Sequence, residues 1–211
     1  MSKCYIFGSM EVNTPPPAIA KNDLIIAADA GLKNLEKFKI MPNYIVGDFD
    51  SLQFTPEGKN VIKHPIKKNE TDTLLAVDTA FQKGYKFFEI YGCLGGRLDQ
   101  TVASIQTAAY IVKKGGNAVF IDGSTHLTVL ENNSISFTKK SQGTISVFAY
   151  SGPAKGVKLK NLLYELNNAE LTPLFPLGVS NEFTGKEAEI SVENGMLCVI
   201  WDSDNAEYKI K

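Results

Sequence analysis

Five aspartates stand where a carboxylate can do chemistry. Asp29 follows the apolar run LIIAA, and Asp48 and Asp50 follow YIVG in the run GDFDS. Asp72 opens a helical pattern after Asn69-Glu70-Thr71, and Asp99 closes the turn GCLGGRLD. Taken singly, an aspartate at a turn or at the start of a helix is a common cap. Taken together, four or five carboxylates delivered to one edge repel one another unless a cation sits among them. Oxygen ligands of this kind, without a supporting set of His or Cys, favour Mg²⁺ over zinc.

A second feature is the run Gly92-Cys93-Leu94-Gly95-Gly96-Arg97. Glycines let backbone amides approach a phosphate, a following helix offers its positive end, and an arginine adds a planar fork for phosphate oxygens. The plainer alternative is a strand-to-helix turn carrying a surface arginine. The run lacks the Gly-Lys-Ser/Thr of a Walker A loop and the spacing of a dinucleotide fingerprint, and Gly185-Lys186 is followed by Glu187 where a hydroxyl is needed. Lys67 and Lys68 could meet phosphates or simply lie in a solvated loop. His64 and His126 are far apart with no HExxH around them and read as structural or surface residues.

The elements that must position these groups alternate. Lys3 to Gly8, Leu24 to Ala28, Tyr44 to Gly47, Phe87 to Gly92 and Ala118 to Asp122 are short, β-branched or aromatic, and bounded by turn residues. They predict buried parallel strands. Thr71 to Lys83 predicts a helix capped by Thr71, with Leu74, Val77 and Phe81 on one face. Asp99 to Lys114 predicts another, with Val102, Ile105, Ala109 and Val112 inward. Strand and helix in alternation imply an open parallel sheet flanked by helices, whose ligands bind at the carboxyl ends of the strands. Three of those ends deliver the aspartates.

From about residue 132 the pattern turns to alternation of period two. Ser134 to Thr138, Thr144 to Ala149, Gly156 to Leu162, Glu189 to Val192 and Met196 to Trp201 are strand candidates, with Asn194-Gly195 predicting a hairpin turn between the last two. The expected organisation is therefore an α/β domain over 1–131 and a small antiparallel β-sandwich over 132–211.

Composition narrows the function. The 211 residues carry 22 Lys and Arg against 23 Asp and Glu, so phosphate neutralisation along a nucleic acid is not expected. The uncharged stretch Gln100 to Val112 is too short and too polar to span a bilayer, and the first ten residues lack a signal-peptide layout. A cytoplasmic protein without a membrane partner is the expectation. Three well-separated cysteines offer neither a disulfide framework nor a Cys-x-x-Cys metal site.

GDFDS at 47–51, ETDT at 70–73 and GCLGGRLDQ at 92–100 resemble the signature of the thiamine pyrophosphokinase family. Ala28-Asp29-Ala30-Gly31 is similar to the family's ADGG, and Pro176 to Phe183 resembles the segment lining the thiamine site in the family's C-terminal domain. Asn69, Leu74, Ala30 and Gln100 depart from the family's usual acid, glutamate, glycine and histidine. The resemblance implies transfer of a pyrophosphoryl group from ATP to the hydroxyl of thiamine, giving thiamine diphosphate and AMP. It implies Asp48, Asp50 and Asp72 at Mg²⁺, with Asp72 or Asp99 accepting the hydroxyl proton and Arg97 acting in catalysis. Asp29, Ser51, Lys68, Gly95, Gly96 and Gln100 would hold the nucleotide, and Ser180 and Asn181 the thiamine pyrimidine. A homodimer with shared active sites is also implied. A different Mg²⁺-dependent phosphotransferase and a non-catalytic thiamine or nucleotide sensor stand as the alternatives.

Overall fold

Short apolar runs become the strands of the first unit because both of their faces can be buried. The computed structural model describes residues 2–17, 19–49, 56–63, 70–203 and 206–211, and the chain divides into two units, 1–123 and 124–211. In the first, β1 (Cys4–Phe7), β2 (Leu24–Ala28), β3 (Tyr44–Gly47), β4 (Val61–Lys63), β5 (Phe87–Tyr91) and β6 (Asn117–Asp122) alternate with α1 (Gly31–Lys37), α2 (Asp72–Gln82) and α3 (Leu98–Lys113). The strands lie parallel in the order β6-β5-β1-β2-β3-β4.

Alternation along the strands divides the core. Tyr5, Phe7 and Ala27 pack with Leu32 and Leu35 of α1, while their neighbours Ile6, Ile26, Val46 and Ile90 point the other way and are equally buried. There α2 packs on β1, β2 and β3 and touches α3, which packs on β6. Right-handed crossovers require this split, because the chain moves one way from β2 to β3 and the opposite way from β4 through β5 to β6. The order reverses beside β1, and the crevice at that switch point opens at the carboxyl ends of the strands.

The two predicted helices form, with Val77 and Ala109 buried as predicted, but the rest of each buried face is shifted from the predicted one. α2 buries Ala76, Val77, Thr79 and Ala80, and α3 buries Ser104, Thr107, Ala108, Ala109 and Ile111, leaving Val102 exposed. Small side chains let both helices lie close to the sheet, and hydroxyls that look polar in sequence are satisfied locally, Thr107 and Thr79 on the preceding turn and Ser104 on Cys93 O. Helix α1 and strand β4 are additions to the predicted elements. α1 has seven residues and no side-chain cap, so it left little signal.

The second unit is antiparallel. Its strands are β7 (Thr125–Glu131), β8 (Ser134–Phe137), β9 (Thr144–Lys160), β10 (Leu166–Leu171), β11 (Gly178–Glu182), β12 (Ala188–Ser191), β13 (Asn194–Asp202) and β14 (Tyr208–Ile210). Strand β9 runs through both segments predicted as separate strands. Its first half pairs with β13 and β11, and its second with β12 and β10. The ladders continue from β13 to β7 and from β12 through β8 to β14. Side chains from the two ladders meet where the Phe137 ring stands edge-on to Trp201, 5.3 Å between centroids.

The hairpin predicted at Asn194-Gly195 does not form. Strand β12 pairs with β8 and β9, and β13 with β7 and β9. Gly195 instead serves a close approach: its N–H donates to Asn132 Oδ1 at 2.9 Å, and a Cβ there would lie 2.6 Å from Pro153 O.

Candidate active site

A cavity of about 390 Å³ opens at the carboxyl ends of the parallel strands. Gly8, Ser9 and Met10 reach it from β1, Ala28 and Asp29 from β2, Asp48 from β3, Thr71 to Thr73 from the start of α2, Gly92 and Cys93 from β5, and Arg97, Gln100 and Ser104 from α3. The ends of β1, β2, β3 and β5 and the starts of α2 and α3 thus meet at one cavity.

Asp29 is the most buried of the carboxylates, 5% exposed, and its Oδ1 is shielded from solvent without a hydrogen-bond partner among the described residues. Its backbone is left-handed, φ 49°, and its N–H donates to Val46 O at 2.8 Å, which anchors the residue between β2 and β3. An orphaned carboxylate oxygen at a cavity wall is costly unless a cation or a donor fills the space. Asp72 is fixed differently. Thr71 caps α2, its Oγ1 accepting from Leu74 N at 3.2 Å, and so sets the first turn that carries Asp72 into the cavity. The set of Asp29, Asp48 and Asp72 suits a hard divalent cation by its oxygen chemistry. Among the described residues no group of three or more His, Cys, Asp or Glu is gathered into a ready metal cluster.

Cys93 knits the floor together. Its Sγ lies 3.5 Å from Thr73 Oγ1 of α2, and its carbonyl accepts from Ser104 Oγ of α3 at 2.7 Å. Burial pushes its thiol up to about 11, so it stays protonated. The glycine turn beside it is left-handed at Gly92, Gly95 and Gly96. A Cβ on Gly92 would fall 2.6 Å from Met10 O, and one on Gly96 would fall 2.5 Å from Met10 Cε. Gly92 is therefore required by contact with the backbone of the loop after β1, a packing demand separate from any phosphate, while at Gly96 the neighbour is the flexible end of the Met10 side chain and the left-handed backbone is what favours glycine.

Of the residues singled out in sequence, Asp29, Asp48, Asp72, Arg97 and Gln100 come together around this cavity. Gly95 and Gly96 are exposed in the adjoining turn, and Asp99 is exposed beside Arg97. Asp50, Ser51 and Lys68, together with His64 and Lys67, lie outside the described residues. His126 stacks on Trp201 in the second unit, away from the aspartates in sequence and in unit.

Ser180 and Asn181 sit on β11 of the second unit. Asn181 is 3% exposed and its amide is engaged at both ends: Oδ1 accepts from Tyr164 N and from Glu182 N, each at 2.9 Å, and Nδ2 donates to Tyr164 O at 2.7 Å. It braces the backbone of Tyr164, whose side chain is left exposed. Ser180 has a left-handed backbone, φ 57°, with its N–H held by Ser146 Oγ at 3.0 Å. Sequence reasoning did not single out Tyr164 or Ser9, and it took Cys93 only as part of the glycine turn and as a buried thiol. An exposed tyrosine next to the serine-asparagine pair was the only available signal, and it requires knowing that the segments 161–166 and 178–182 are neighbours.

An open α/β unit with a carboxylate-lined switch-point crevice, followed by an antiparallel unit, defines the class of the chain. Two family descriptions match it, Thiamin pyrophosphokinase, catalytic domain, over residues 16–120, and Thiamin pyrophosphokinase, vitamin B1 binding domain, over residues 132–197. The chain is 28% identical over 192 residues to a thiamine pyrophosphokinase of Bacillus subtilis, covering 87% of this chain and 89% of the relative. The crystal structure of thiamine pyrophosphokinase from Bacillus subtilis superposes with a TM-score of 0.83 at 25% identity, over 97% of this chain and all of the other. Thiamin pyrophosphokinase from Candida albicans shares the fold, with a TM-score of 0.79 at 17% identity over 95% of this chain and 90% of that one. The chain belongs to the thiamine pyrophosphokinase family. It is an enzyme that pyrophosphorylates thiamine from ATP to give thiamine diphosphate.

Proposed function

We propose that the cavity of the first unit holds ATP with Mg²⁺ and is where the transfer takes place. The observation that carries the reading is the convergence of Asp29, Asp48, Asp72 and Arg97 from four different elements on one cavity, with Asp29 Oδ1 buried and without a partner among the described residues. Asp48 and Asp72, with Asp50 two residues after Asp48 in sequence, would hold the cation, and Asp29 would complete the set directly or through water. A bound Mg²⁺ supplies neutralisation of the charge that develops on the transferring phosphates.

The residues of the chain do the rest. Arg97 offers its guanidinium to phosphate oxygens, while the Gly95–Gly96 turn leaves backbone amides open to them, with Gln100, Ser51 and Lys68 as further contacts. The hydroxyl oxygen of thiamine attacks the β-phosphorus of ATP, the bond from that phosphorus to the α,β-bridging oxygen breaks, and AMP leaves with that oxygen. Asp72 accepts the hydroxyl proton. Asp99 is engaged by Arg97, whose hydrogen bond holds its carboxyl below the usual carboxylate range. Its part is to orient Arg97. Positioning and fixed charge account for most catalysis of this type, since the protein contributes no covalent step.

The second unit, read as a β-sandwich, is proposed to receive thiamine. Ser180 would meet the pyrimidine, and the ring of Tyr164, 66% exposed and braced from behind by Asn181, suits an aromatic cation. Exposed Leu163, Leu174, Phe175, Leu177 and Val179 on the same unit support a homodimer with shared sites. Three buried unpaired thiols fit a reducing, cytoplasmic setting. Calorimetric titration of Mg²⁺ with a non-hydrolysable ATP analogue tests the nucleotide site: Asp29→Asn should weaken binding at least about tenfold. Unchanged binding by that variant would remove the carboxylate cavity as the site.

A further inference from the structure

We infer that Asn34 is a positioning residue for the nucleotide, acting through the loop after β1, and that the loop residue it presents to the phosphates is Ser9. The inference rests on the reading of the cavity as the ATP site. Asn34 lies on α1, is 5% exposed and does not line the cavity. Its Nδ2 donates to Gly8 O at 2.9 Å and to Met10 O at 2.8 Å, and its Oδ1 accepts from Val12 N at 3.0 Å. One side chain therefore satisfies three backbone groups of a segment that belongs to no strand or helix.

The same segment is held from its other side by β5. Gly8 N donates to Tyr91 O at 2.7 Å and Met10 N to Gly92 O at 3.0 Å. Gly8 itself has no room for a side chain, since a Cβ there would stand 2.4 Å from Cys93 Sγ. Between these two clamped residues only Ser9 is left over. It borders the cavity, and its hydroxyl has no hydrogen-bond partner among the described residues. Both carbonyls that could turn toward an anion, those of Gly8 and Met10, are instead tied to the Asn34 amide. Removing that amide would free two acceptors to rotate toward the phosphates and would release Ser9 from its place. An aspartate at 34 keeps the size and the acceptor but loses both donations and sets a carboxylate against two carbonyls.

The test is steady-state kinetics of Asn34→Asp and Ser9→Ala beside Arg97→Ala, with ATP and thiamine varied separately and melting temperatures recorded. Asn34→Asp should raise the KM for ATP about tenfold with the KM for thiamine unchanged, and Ser9→Ala about threefold with an unchanged melting temperature. A KM for ATP within twofold of the parent in Ser9→Ala, or a parallel rise of both KM values in Asn34→Asp, overturns the inference. If Arg97→Ala raises the KM for ATP while the other two do not, only this inference fails. If Arg97→Ala also leaves it unchanged, the cavity reading fails with it. Should Asn34→Asp not fold, Ser9→Ala decides alone.

Discussion

Arg97 and Asp99, two residues apart where α3 begins, grip each other through two hydrogen bonds, Nε to Oδ1 at 3.1 Å and Nη2 to Oδ2 at 2.5 Å. Asp99 Oδ1 also accepts from Gln100 N at 3.0 Å, which ties the pair to the helix start. Both side chains are largely exposed, so the pair adds little to stability. Its value is orientation: a guanidinium held edge-on by a carboxylate presents its remaining N–H groups in a fixed direction.

If Asp99 acts only through Arg97, the two residues are one unit in kinetics. Asp99→Asn should lower kcat/KM for ATP by about tenfold in the parent and by less than about twofold in an Arg97→Ala background. Equal losses in both backgrounds would give Asp99 a separate part in the reaction.

Thr71 and Asp72 are adjacent but do different work. Asp72→Asn should reduce turnover at least about a hundredfold with the melting temperature nearly unchanged. Thr71→Ala should do the reverse, lowering stability by about 1 kcal/mol through loss of the helix cap. Parallel kinetics and denaturation of the two variants check the contrast.

The buried thiols set an alkaline limit. Burial raises Cys93 to about 11 and Cys198 to about 12, from an ordinary value near 9. Between those values the unfolded chain has lost protons that the folded chain retains. Stability is therefore complete below about pH 9 and falls as pH rises through 11 and 12. Urea denaturation at pH 8 and at pH 10.5 should show the loss, and Cys93→Ser should reduce its steepness. For the same reason iodoacetamide should modify Cys93 far more slowly in the native protein at pH 8 than in urea.

Asn181 and Tyr164 offer a matched pair for testing the proposed thiamine site. Tyr164→Ala should raise the KM for thiamine about tenfold with the KM for ATP and the stability unchanged. Asn181→Ala should raise it as well and also cost about 1–3 kcal/mol, because Tyr164 and Glu182 lose the partner of their N–H groups. A variant of Tyr164 that binds thiamine normally would leave Asn181 a purely structural brace.

Much of the first unit was legible in the sequence because its signals are local. LIIAA and YIVG mark β2 and β3 to the residue, and Thr71 announced α2. What escaped depends on contacts between distant segments. Asn194-Gly195 carries a strong hairpin signal, yet β13 finds β7 and β9 in preference to β12. Apart from Val77 and Ile111, the inward faces of α2 and α3 are lined by Ala, Ser and Thr, which hydropathy ranks below Leu74 and Val102 but which fit a close approach to the sheet. Asp29 and Asp48 could be placed on one edge from strand ends alone. That Gly92 and Gly96 face Met10, and that Asn181 answers to Tyr164, could not be read without the folded chain.

The most direct test of the account is product analysis after incubating the protein with Mg²⁺, ATP and thiamine. Attack at the β-phosphorus yields AMP and thiamine diphosphate in equal amounts, with no ADP formed in step with product. Accumulation of ADP with thiamine monophosphate would mean attack at the γ-phosphorus, and would contradict the account of how this cavity presents ATP.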